Sequence, residues 1–290
     1  MTVHFKQVTI VGVGLIGGSL GMILKQQGLA DQVVGVGRTI ENLELAIKIG
    51  AIDRHVQDPQ LVMPGTDLVI LATPIESYSG HLKQWGRYLA EGTIVSDVGS
   101  VKGPLVEQAE SLMPPGVHFV GAHPIAGKEK SGAGAATSDL YQNALCLLTP
   151  TARTNAEALG KIRHMWEVAG SNVHSIDPFL HDWILGAVSH LPHVAAFALM
   201  NALSDLQQHT KGDAELLNYS GGGLRDTTRI AASSPEMWRD IFLWNKDNLV
   251  LMIETLEKHL QRMKSYIQQN DEAGIEHEIA KARDARQRLK

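Results

Sequence analysis

The sequence predicts an α/β domain built on a parallel, doubly wound sheet, followed by an all-helical domain. Before Ile176, short apolar runs typical of buried strands alternate with stretches in which apolar residues recur at helical spacing. A glycine-rich turn joins the first strand to the first helix, and no strand-like run follows Ile176. Alternating strands and helices favour a parallel sheet covered on both faces. We therefore expect one domain over residues 1–176 and a second over residues 177–290.

The composition is that of a soluble protein without a basic surplus. The chain has 290 residues and a formal net charge of −5, which argues against a nucleic-acid or anionic-membrane partner. Its one cysteine, Cys146, lies in an apolar run, which excludes an internal disulfide framework and indicates a buried thiol in a reducing compartment. There is no signal peptide pattern and no run of roughly 18 apolar residues, so we expect a cytoplasmic protein.

The first strand, Val8 to Val11, runs directly into a glycine-rich turn and a helix. Gly12 permits the tight turn, Gly14 lets the backbone approach a pyrophosphate, and Gly17 allows close packing of the helix on the strand. The helix N-terminus then faces the phosphates. This arrangement predicts a dinucleotide site that includes Gly12, Gly14, Leu15, Ile16 and Gly17.

The second strand, Gln32 to Val36, bears on the choice between NAD and NADP. NAD-binding folds usually carry an acidic residue for the ribose 2′-hydroxyl about 20 residues beyond the glycines. Here that position is Gly37, followed by Arg38 and Thr39, which can receive the 2′-phosphate of NADP. The alternative is an arginine that simply faces solvent. The pair favours NADP and leaves NAD open.

Three further strands end in polar turns. Asp67 to Ala72 ends at Thr73 and Pro74, Thr93 to Ser96 leads into the turn from Asp97 to Gly103, and Val117 to Val120 precedes His123. The carboxyl ends of parallel strands meet at one edge of a sheet, so these turns and the glycine-rich turn are expected to lie together. His123, held by Pro124 between small residues, is therefore a candidate for chemistry, although a strand-end histidine can be purely structural. The remaining elements expected before residue 177 are helices at Glu41 to Gly50, Tyr78 to Leu89 and Ala156 to Ala169, and strands at Ala144 to Thr149 and Val173 to Ile176.

The second half is expected to be helical and to dimerise. Apolar residues keep helical spacing from Phe179 onward and again from Leu249 to Ile267, and they exceed what a domain of this size covers by itself. We expect a homodimer, the alternative being an ordinary bundle core. Pro192 should kink the first of these helices and re-aim His190 and His193.

A glycine run followed by two arginines lies between the long helices. Arg225 and Arg229 are four residues apart, so one helical turn would place both on one face. Three glycines in front of two cations suit the close approach of a ligand carboxylate, the alternative being a flexible turn with solvated arginines. The histidines lack Cys, Asp or Glu partners at metal-ligand spacing, so no metal is expected.

Three motifs together resemble one family. They are Gly121-Ala122-His123-Pro124-Ile125-Ala126-Gly127, Ser189-His190-Leu191-Pro192-His193, and the stretch from Gly221 to Ala231. The combination is similar to the prephenate or arogenate dehydrogenases of tyrosine biosynthesis, and the resemblance covers essentially the whole chain. It implies a Rossmann-like domain, a helical dimerisation domain and an active site between them.

The resemblance also implies residue roles. His123 would accept the proton of the substrate's ring 4-hydroxyl, and Ser100 would hydrogen-bond both that hydroxyl and the base. His193 and Arg229 would hold the substrate. Further residues implied in the same pocket are Arg225, Gly222, Asp226, Trp238 at its edge and Glu129 at its mouth.

The implied reaction is the oxidative decarboxylation of prephenate, or arogenate, to 4-hydroxyphenylpyruvate, or tyrosine, with hydride transfer to NAD(P)+. Two alternatives are a reductase of small hydroxyacids or imines and a non-catalytic dinucleotide-sensing dimer. Lys128, where many relatives carry threonine, and the Gly37-Arg38 pair depart from the family pattern. The chain leaves no room for an appended regulatory domain, so a monofunctional enzyme is expected, with its substrate and any inhibition by tyrosine left open.

Overall fold

A computed structural model describes residues 3–127, 132–210 and 214–289 of the chain. Its main sheet has six parallel strands in the order β3-β2-β1-β4-β5-β6. This order is doubly wound, because the chain runs outward from the central β1 in one direction and then from β4 in the other. The strands are β1 Phe5–Val11, β2 Ala30–Val36, β3 Arg54–Val56, β4 Leu68–Leu71, β5 Ile94–Asp97 and β6 His118–Val120. The predicted fold class is therefore confirmed for the first half.

The last three strands form a separate small sheet. These are β7 Ala122–Ile125, β8 Leu145–Leu148 and β9 Asn172–Ser175, with β7 antiparallel to β8 and β8 parallel to β9. Gly121 makes the change of sheet possible, because a Cβ atom there would lie 2.4 Å from the Thr149 hydroxyl. His123 consequently lies within β7 rather than just beyond the end of a main-sheet strand.

Helices cover both faces of the main sheet, as a buried parallel sheet requires. Val8 and Ile10 of β1 point into one apolar cluster, and Val11 points into the other. The helices of this half are α1 Leu15–Gln26, α2 Ile40–Lys48, α3 Tyr78–Trp85, α4 Gly103–Ser111 and α5 Ala156–Val168. The short strand β3 was not predicted, because Arg54 and His55 give it no apolar run.

Among its described residues the second half contains helices joined by turns and no strand, as predicted. Its helices are α6 Pro178–Leu185, α7 Leu191–Gln207, α8 Gly222–Thr228, α9 Pro235–Trp244, α10 Lys246–Gln269 and α11 Glu272–Arg286. A π-helical segment, Gly186–His190, joins α6 to α7, of which Pro192 is the second residue. Proline has no N–H group to donate the backbone hydrogen bond of a regular α-helix. The irregularity expected from Pro192 corresponds to this π-helical segment, whose turn is wider than that of an α-helix.

The helical stretch Pro178–Gln207 is long and apolar enough to span a membrane on length and composition alone. The sequence was expected to contain no such stretch because it has no uninterrupted apolar run of that length; here polar residues interrupt the apolar ones. The stretch contains His181, Asp182 and His190, which are buried and hydrogen-bonded within the protein. Many of its apolar side chains nevertheless face outward: Phe179, Leu180, Trp183, Ile184, Val188, Leu199 and Leu206.

Candidate active site

His123 is a buried histidine whose ring contacts a second histidine. Its side chain is 8% exposed, and its Nδ1 atom lies 2.9 Å from Nε2 of His181 on α6. Burial lowers the pKa of His123 well below its ordinary value of 6.5, and the nearby His181 and Lys102 lower it further. His123 is therefore neutral at physiological pH.

The neighbouring carboxylate determines which nitrogen of each ring carries hydrogen. Nδ1 of His181 lies 2.8 Å from Oδ1 of Asp182, and an ionised carboxylate only accepts hydrogen bonds. His181 thus donates from Nδ1 and accepts at Nε2, so His123 donates from Nδ1. This relay leaves the lone pair on Nε2 of His123, the arrangement required of a base.

The relay residues His181 and Asp182 were missed from the sequence. Asp182 also accepts hydrogen bonds from the backbone N–H groups of Lys102 and Gly103, each at 2.7 Å. These groups open α4, so a carboxylate of the helical half caps a helix of the first half. The available signal was a His-Asp pair inside an otherwise apolar helix, where polar side chains need partners.

The turn that carries Ser100 is held by a buried ion pair. Lys102 Nζ lies 2.7 Å from Asp97 Oδ2 and also donates to the Gly99 carbonyl oxygen at 2.6 Å. Oδ1 of Asp97 accepts from the backbone N–H of Ala122, the first residue of β7, at 3.1 Å. The Ser100 turn and the His123 strand are therefore joined through one carboxylate.

Ser100 itself is half-buried in this turn. Within the described parts of the chain, its hydroxyl makes no hydrogen bond with His123. The role implied for Ser100 therefore stays a prediction about the substrate complex.

His193 and Trp238 form an aromatic stack. Their ring centroids lie 3.6 Å apart with an interplanar angle of 26°. Nδ1 of His193 donates to the Ser189 carbonyl oxygen at 2.8 Å, which leaves Nε2 as an acceptor in the neutral ring. Burial lowers the pKa of His193, and the charge of Arg229 contributes in the same direction. Arg229 therefore lies within electrostatic reach of His193.

The other residues implied in substrate binding lie around α8. Gly222, Arg225 and Asp226 belong to this helix and are exposed, as is Arg229. The expected single helical turn from Arg225 to Arg229 is interrupted, because α8 ends at Thr228 and a 3-10 turn, Arg229–Ala232, begins there. Glu129 and Lys128 lie outside the described residues.

The glycine-rich turn has the shape expected of a dinucleotide site. Gly12 has φ 97°, and a Cβ atom there would lie 2.5 Å from the Ala72 carbonyl oxygen, while one on Gly17 would lie 2.3 Å from the Gly12 oxygen. Open space surrounds the Cβ position of Gly14. Two glycines are thus needed for packing, and the third leaves room for a ligand. Leu15 opens α1, followed by Ile16, and no side chain caps the helix, so its first N–H groups remain available for phosphate.

The turns after β4 and β2 border the same place. Thr73, whose hydroxyl lies 2.7 Å from that of Ser77, approaches Gly12 closely, and Pro74 follows on the exposed edge. Arg38 and Thr39 are exposed beyond β2, and the Thr39 side chain does not cap α2. Among the described residues, no group of three or more His, Cys, Asp or Glu side chains is arranged to hold a metal ion.

Two family profiles match the chain almost end to end. One describes the nucleotide-binding domain of prephenate dehydrogenase and matches residues 20–175; the other describes the dimerization domain of prephenate dehydrogenase and matches residues 177–281. The chain belongs to the prephenate dehydrogenase family. Both halves of the fold are thus those of prephenate dehydrogenases.

Individual relatives are similar over nearly all of this chain. The chain is 32% identical to a prephenate dehydrogenase of Bacillus subtilis, covering 97% of this chain and 76% of the relative. It is 31% identical to a cyclohexadienyl dehydrogenase of Zymomonas mobilis, covering 100% and 98%.

A solved structure is also similar over the whole chain. It is the prephenate dehydrogenase of A. aeolicus in complex with hydroxyphenyl propionate and NAD+, at 36% identity, TM-score 0.92 and complete coverage of both chains. A pyrroline-5-carboxylate reductase from Coxiella burnetii, at 13% identity and TM-score 0.53, shares the fold alone.

Proposed function

We propose that this protein catalyses the oxidative decarboxylation of prephenate or arogenate, with hydride transfer to a nicotinamide dinucleotide. The observation that carries the proposal is the buried relay of His123, His181 and Asp182 in a chain with a glycine-rich dinucleotide turn. The family supports it, since a relative's structure holds NAD+ and hydroxyphenyl propionate.

In the proposed reaction, His123 takes the proton of the substrate's ring 4-hydroxyl on Nε2. NAD(P)+, when bound, supplies the hydride acceptor, and the substrate's ring carboxylate leaves as carbon dioxide while the ring becomes aromatic. His123 starts neutral because burial lowers its pKa. As it becomes an imidazolium, its Nδ1–H stays hydrogen-bonded to His181, whose own Nδ1–H is held by the Asp182 carboxylate. Ser100 is proposed to orient the hydroxyl.

The helical half is proposed to hold the carboxylates of the substrate. Arg229 is proposed to bind a carboxylate. His193, whose Nε2 accepts in the neutral ring, is proposed to line the same pocket beside Trp238, within electrostatic reach of Arg229. The planar fork of arginine suits bidentate binding of a carboxylate. Arg225, Gly222, Asp226 and Glu129 complete the proposed pocket. The chain has a net charge of −5, so these local cations must supply the attraction.

The proposed assembly is a homodimer formed through the helical domain. The outward apolar side chains of the helical stretch Pro178–Gln207 support it, as does the dimerization domain named by the matching profile. We propose domain limits of residues 1–176 and 177–290, between the last strand and the first long helix. A cytoplasmic location belongs to the same proposal, supported by the buried free thiol of Cys146.

The preferred cofactor is proposed to be NADP. Gly37 stands where an acidic residue would exclude a 2′-phosphate, and the exposed Arg38 and Thr39 can bind one. Binding of NAD itself follows from the nucleotide-binding domain of the family and from the NAD+ complex of the A. aeolicus relative.

The proposed function is tested by measuring turnover of prephenate and arogenate with NAD+ and with NADP+. The His123→Asn variant is the matched control, because it removes the base while leaving the glycine-rich turn unchanged. We expect turnover of at least one pair, a fall of about 10²- to 10⁴-fold in kcat for His123→Asn, and unchanged cofactor affinity. A hydroxyacid or imine reductase would turn over neither prephenate nor arogenate. A dinucleotide-sensing protein would bind the cofactor but show no turnover that is lost in His123→Asn.

A further inference from the structure

His190 is a buried histidine that the proposed reaction leaves without a role. It ends the π-helical segment Gly186–His190 and is 1% exposed. Its ring lies edge-on to Trp238, with 5.9 Å between centroids, and Trp238 stacks on His193. His190 also lies within electrostatic reach of His123. It is therefore placed between the proton-accepting end of the site and the end proposed to bind carboxylates.

The hydrogen bonds of Asn245 determine which nitrogen of His190 carries hydrogen. Nδ2 of Asn245 lies 2.8 Å from the Asp182 carbonyl oxygen and 3.0 Å from Nδ1 of His190. A backbone carbonyl only accepts, so the atom facing it must be the amide nitrogen. Oδ1 of Asn245 accepts from Asn248 at 2.9 Å, in agreement with this orientation. Nδ1 of His190 must then accept, and its hydrogen resides on Nε2.

The Nε2–H group of His190 has no acceptor among the described residues. The described fold does not seal Nε2 from solvent, because Nε2 is not among the fully buried side-chain atoms that lack a hydrogen-bond partner. Buried polar groups are nearly always hydrogen-bonded, to protein, water or ligand. Burial lowers the pKa of His190 to about 4, so the ring is neutral. His190 thus has a neutral N–H donor that no described residue accepts and that the fold does not seal from solvent.

We propose that His190 is a further substrate-binding residue, whose Nε2–H donates a hydrogen bond to a carboxylate oxygen of the substrate. Asn245 is its positioning residue, because it keeps the hydrogen on Nε2. The inference rests on the proposed function, which supplies the carboxylate. A neutral donor also suits this position, since a second fixed cation near His123 would further weaken that base.

The first test is the His190→Asn variant. The carboxamide oxygen of an asparagine takes the place of Nδ1 and still accepts from Asn245, whereas nothing replaces the Nε2–H donor. We expect the KM for the carboxylate substrate to rise at least about tenfold, because a hydrogen bond to a charged group is lost. The thermal stability of the variant should stay close to that of wild type. Its KM for the cofactor should stay within about threefold of the wild-type value. An unchanged substrate KM in the folded variant overturns the proposal.

The second test is Asn245→Asp, which should reverse the positions of hydrogen and lone pair on His190. The new carboxylate accepts from Nδ1 and leaves the lone pair of Nε2 facing the substrate. The new carboxylate also raises the pKa of His190 in the variant. The ratio of variant to wild-type KM should therefore be high near about pH 8.5 and fall towards about pH 6 as the variant's ring gains a second proton and again presents an Nε2–H. The other groups facing His190 are His181 and Asp182 of α6, His193 of α7 and His123 of β7, and all of them are present in both proteins, so the ratio isolates the change at Asn245. A ratio that is flat with pH overturns the positioning role of Asn245.

The two tests distinguish this inference from the proposed function. If wild type turns over neither prephenate nor arogenate, the proposed function fails, and the role of His190 fails with it. If wild type is active and His190→Asn has the wild-type substrate KM, only the role of His190 fails.

Discussion

Nδ1 of His123 lies 2.9 Å from Nε2 of His181, so a helix of the second half orients the proposed base of the first. Asp182, next to His181, holds the far side of that ring and caps α4 as well. One carboxylate therefore serves both the relay and the contact between the two halves. Its removal should affect activity and stability together.

The variant Asp182→Asn should lose activity although its size is conserved. One carboxylate oxygen becomes an amide nitrogen, so either His181 or the N-terminus of α4 loses its acceptor. We expect kcat to fall by about 10- to 10⁴-fold and the free energy of unfolding to fall by about 1–3 kcal/mol. Steady-state kinetics and chemical denaturation measure the two effects.

Asp177→Asn is the matched control for Asp182→Asn. The Asp177 side chain caps α6 through the backbone N–H groups of Phe179 and Leu180, each at 2.9 Å, and among the described residues it makes no hydrogen bond with the ring of His181 or His123. Its backbone carbonyl, which accepts from the His181 N–H at 2.8 Å, is unchanged by the substitution. The Asp177→Asn variant should keep its kcat and most of its stability, because asparagine caps a helix about as well as aspartate does. An equal loss of kcat in both variants would show that the effect of Asp182 is structural alone.

The activity should be independent of pH around neutrality and decline only in acid. Protonation of His123 removes the lone pair that accepts the substrate proton. Burial lowers the pKa of His123 well below 6.5, so the neutral form persists above that value and is lost only as pH falls below it. A profile of log kcat/KM against pH should be level from about pH 6.5 to about pH 8. An acidic limb centred above pH 6.5 would contradict this account of His123.

Removing Arg229 should weaken substrate binding more than cofactor binding. We expect Arg229→Ala to raise the substrate KM at least tenfold, or about 1.4 kcal/mol, if the guanidinium binds a carboxylate. Arg87→Ala is a suitable control, because Arg87 is an exposed arginine that packs on Tyr88 in the nucleotide-binding half. Equal substrate KM values for Arg229→Ala and Arg87→Ala would remove Arg229 from the proposed pocket.

The variant Arg38→Ala should discriminate between the two cofactors. Loss of a cation that binds a 2′-phosphate raises the KM for NADP+ by about tenfold or more and leaves that for NAD+ nearly unchanged. The measurement is the ratio of kcat/KM for NADP+ to that for NAD+, in wild type and variant. The same ratio in both proteins would mean that Arg38 is the solvent-facing arginine of the alternative interpretation.

A charge placed on the outer face of the long helices should disrupt the proposed dimer. Leu260 on α10 is 61% exposed, and Leu61 in the nucleotide-binding half is 75% exposed. We expect Leu260→Asp to shift the protein towards monomer in light scattering, because an aspartate buried in an apolar interface lacks a partner. Leu61→Asp should remain dimeric. A monomeric wild type would overturn the proposed assembly.

Local features of the fold were predictable from sequence. Gly12 and Gly17 stand at fixed offsets between a strand and a helix, and each lies where a Cβ atom would collide with backbone. Such short-range requirements leave a direct trace in residue type. The strands that alternate with helices before Ser111 were predictable for the same reason, apart from β3, whose Arg54 and His55 carry no strand signal.

The site itself was only partly predictable. The proline and small residues around His123 mark it as a candidate in the sequence. The sheet that holds His123 was not predictable, because β7 pairs with β8, which lies about 20 residues later in the chain. His181 was missed because its partner lies 58 residues away in the chain. The contact between His190 and Asn245 depends on the packing of three helices and on the orientation of the Asn245 side-chain amide, and no sequence motif indicates either.

The sequence by itself determined the order of the elements and the glycine-rich turn. Its motifs around His123 and His193 also indicated the family. Those features depend on residues close together in the chain, where steric and hydrogen-bonding demands restrict the choice of amino acid. Only the tertiary structure decided how His123 is oriented, because His181 and Asp182 reach it from the other half of the protein. Hydrogen bonds between distant segments exist only after both halves pack, so the direction of proton acceptance is a property of the folded molecule.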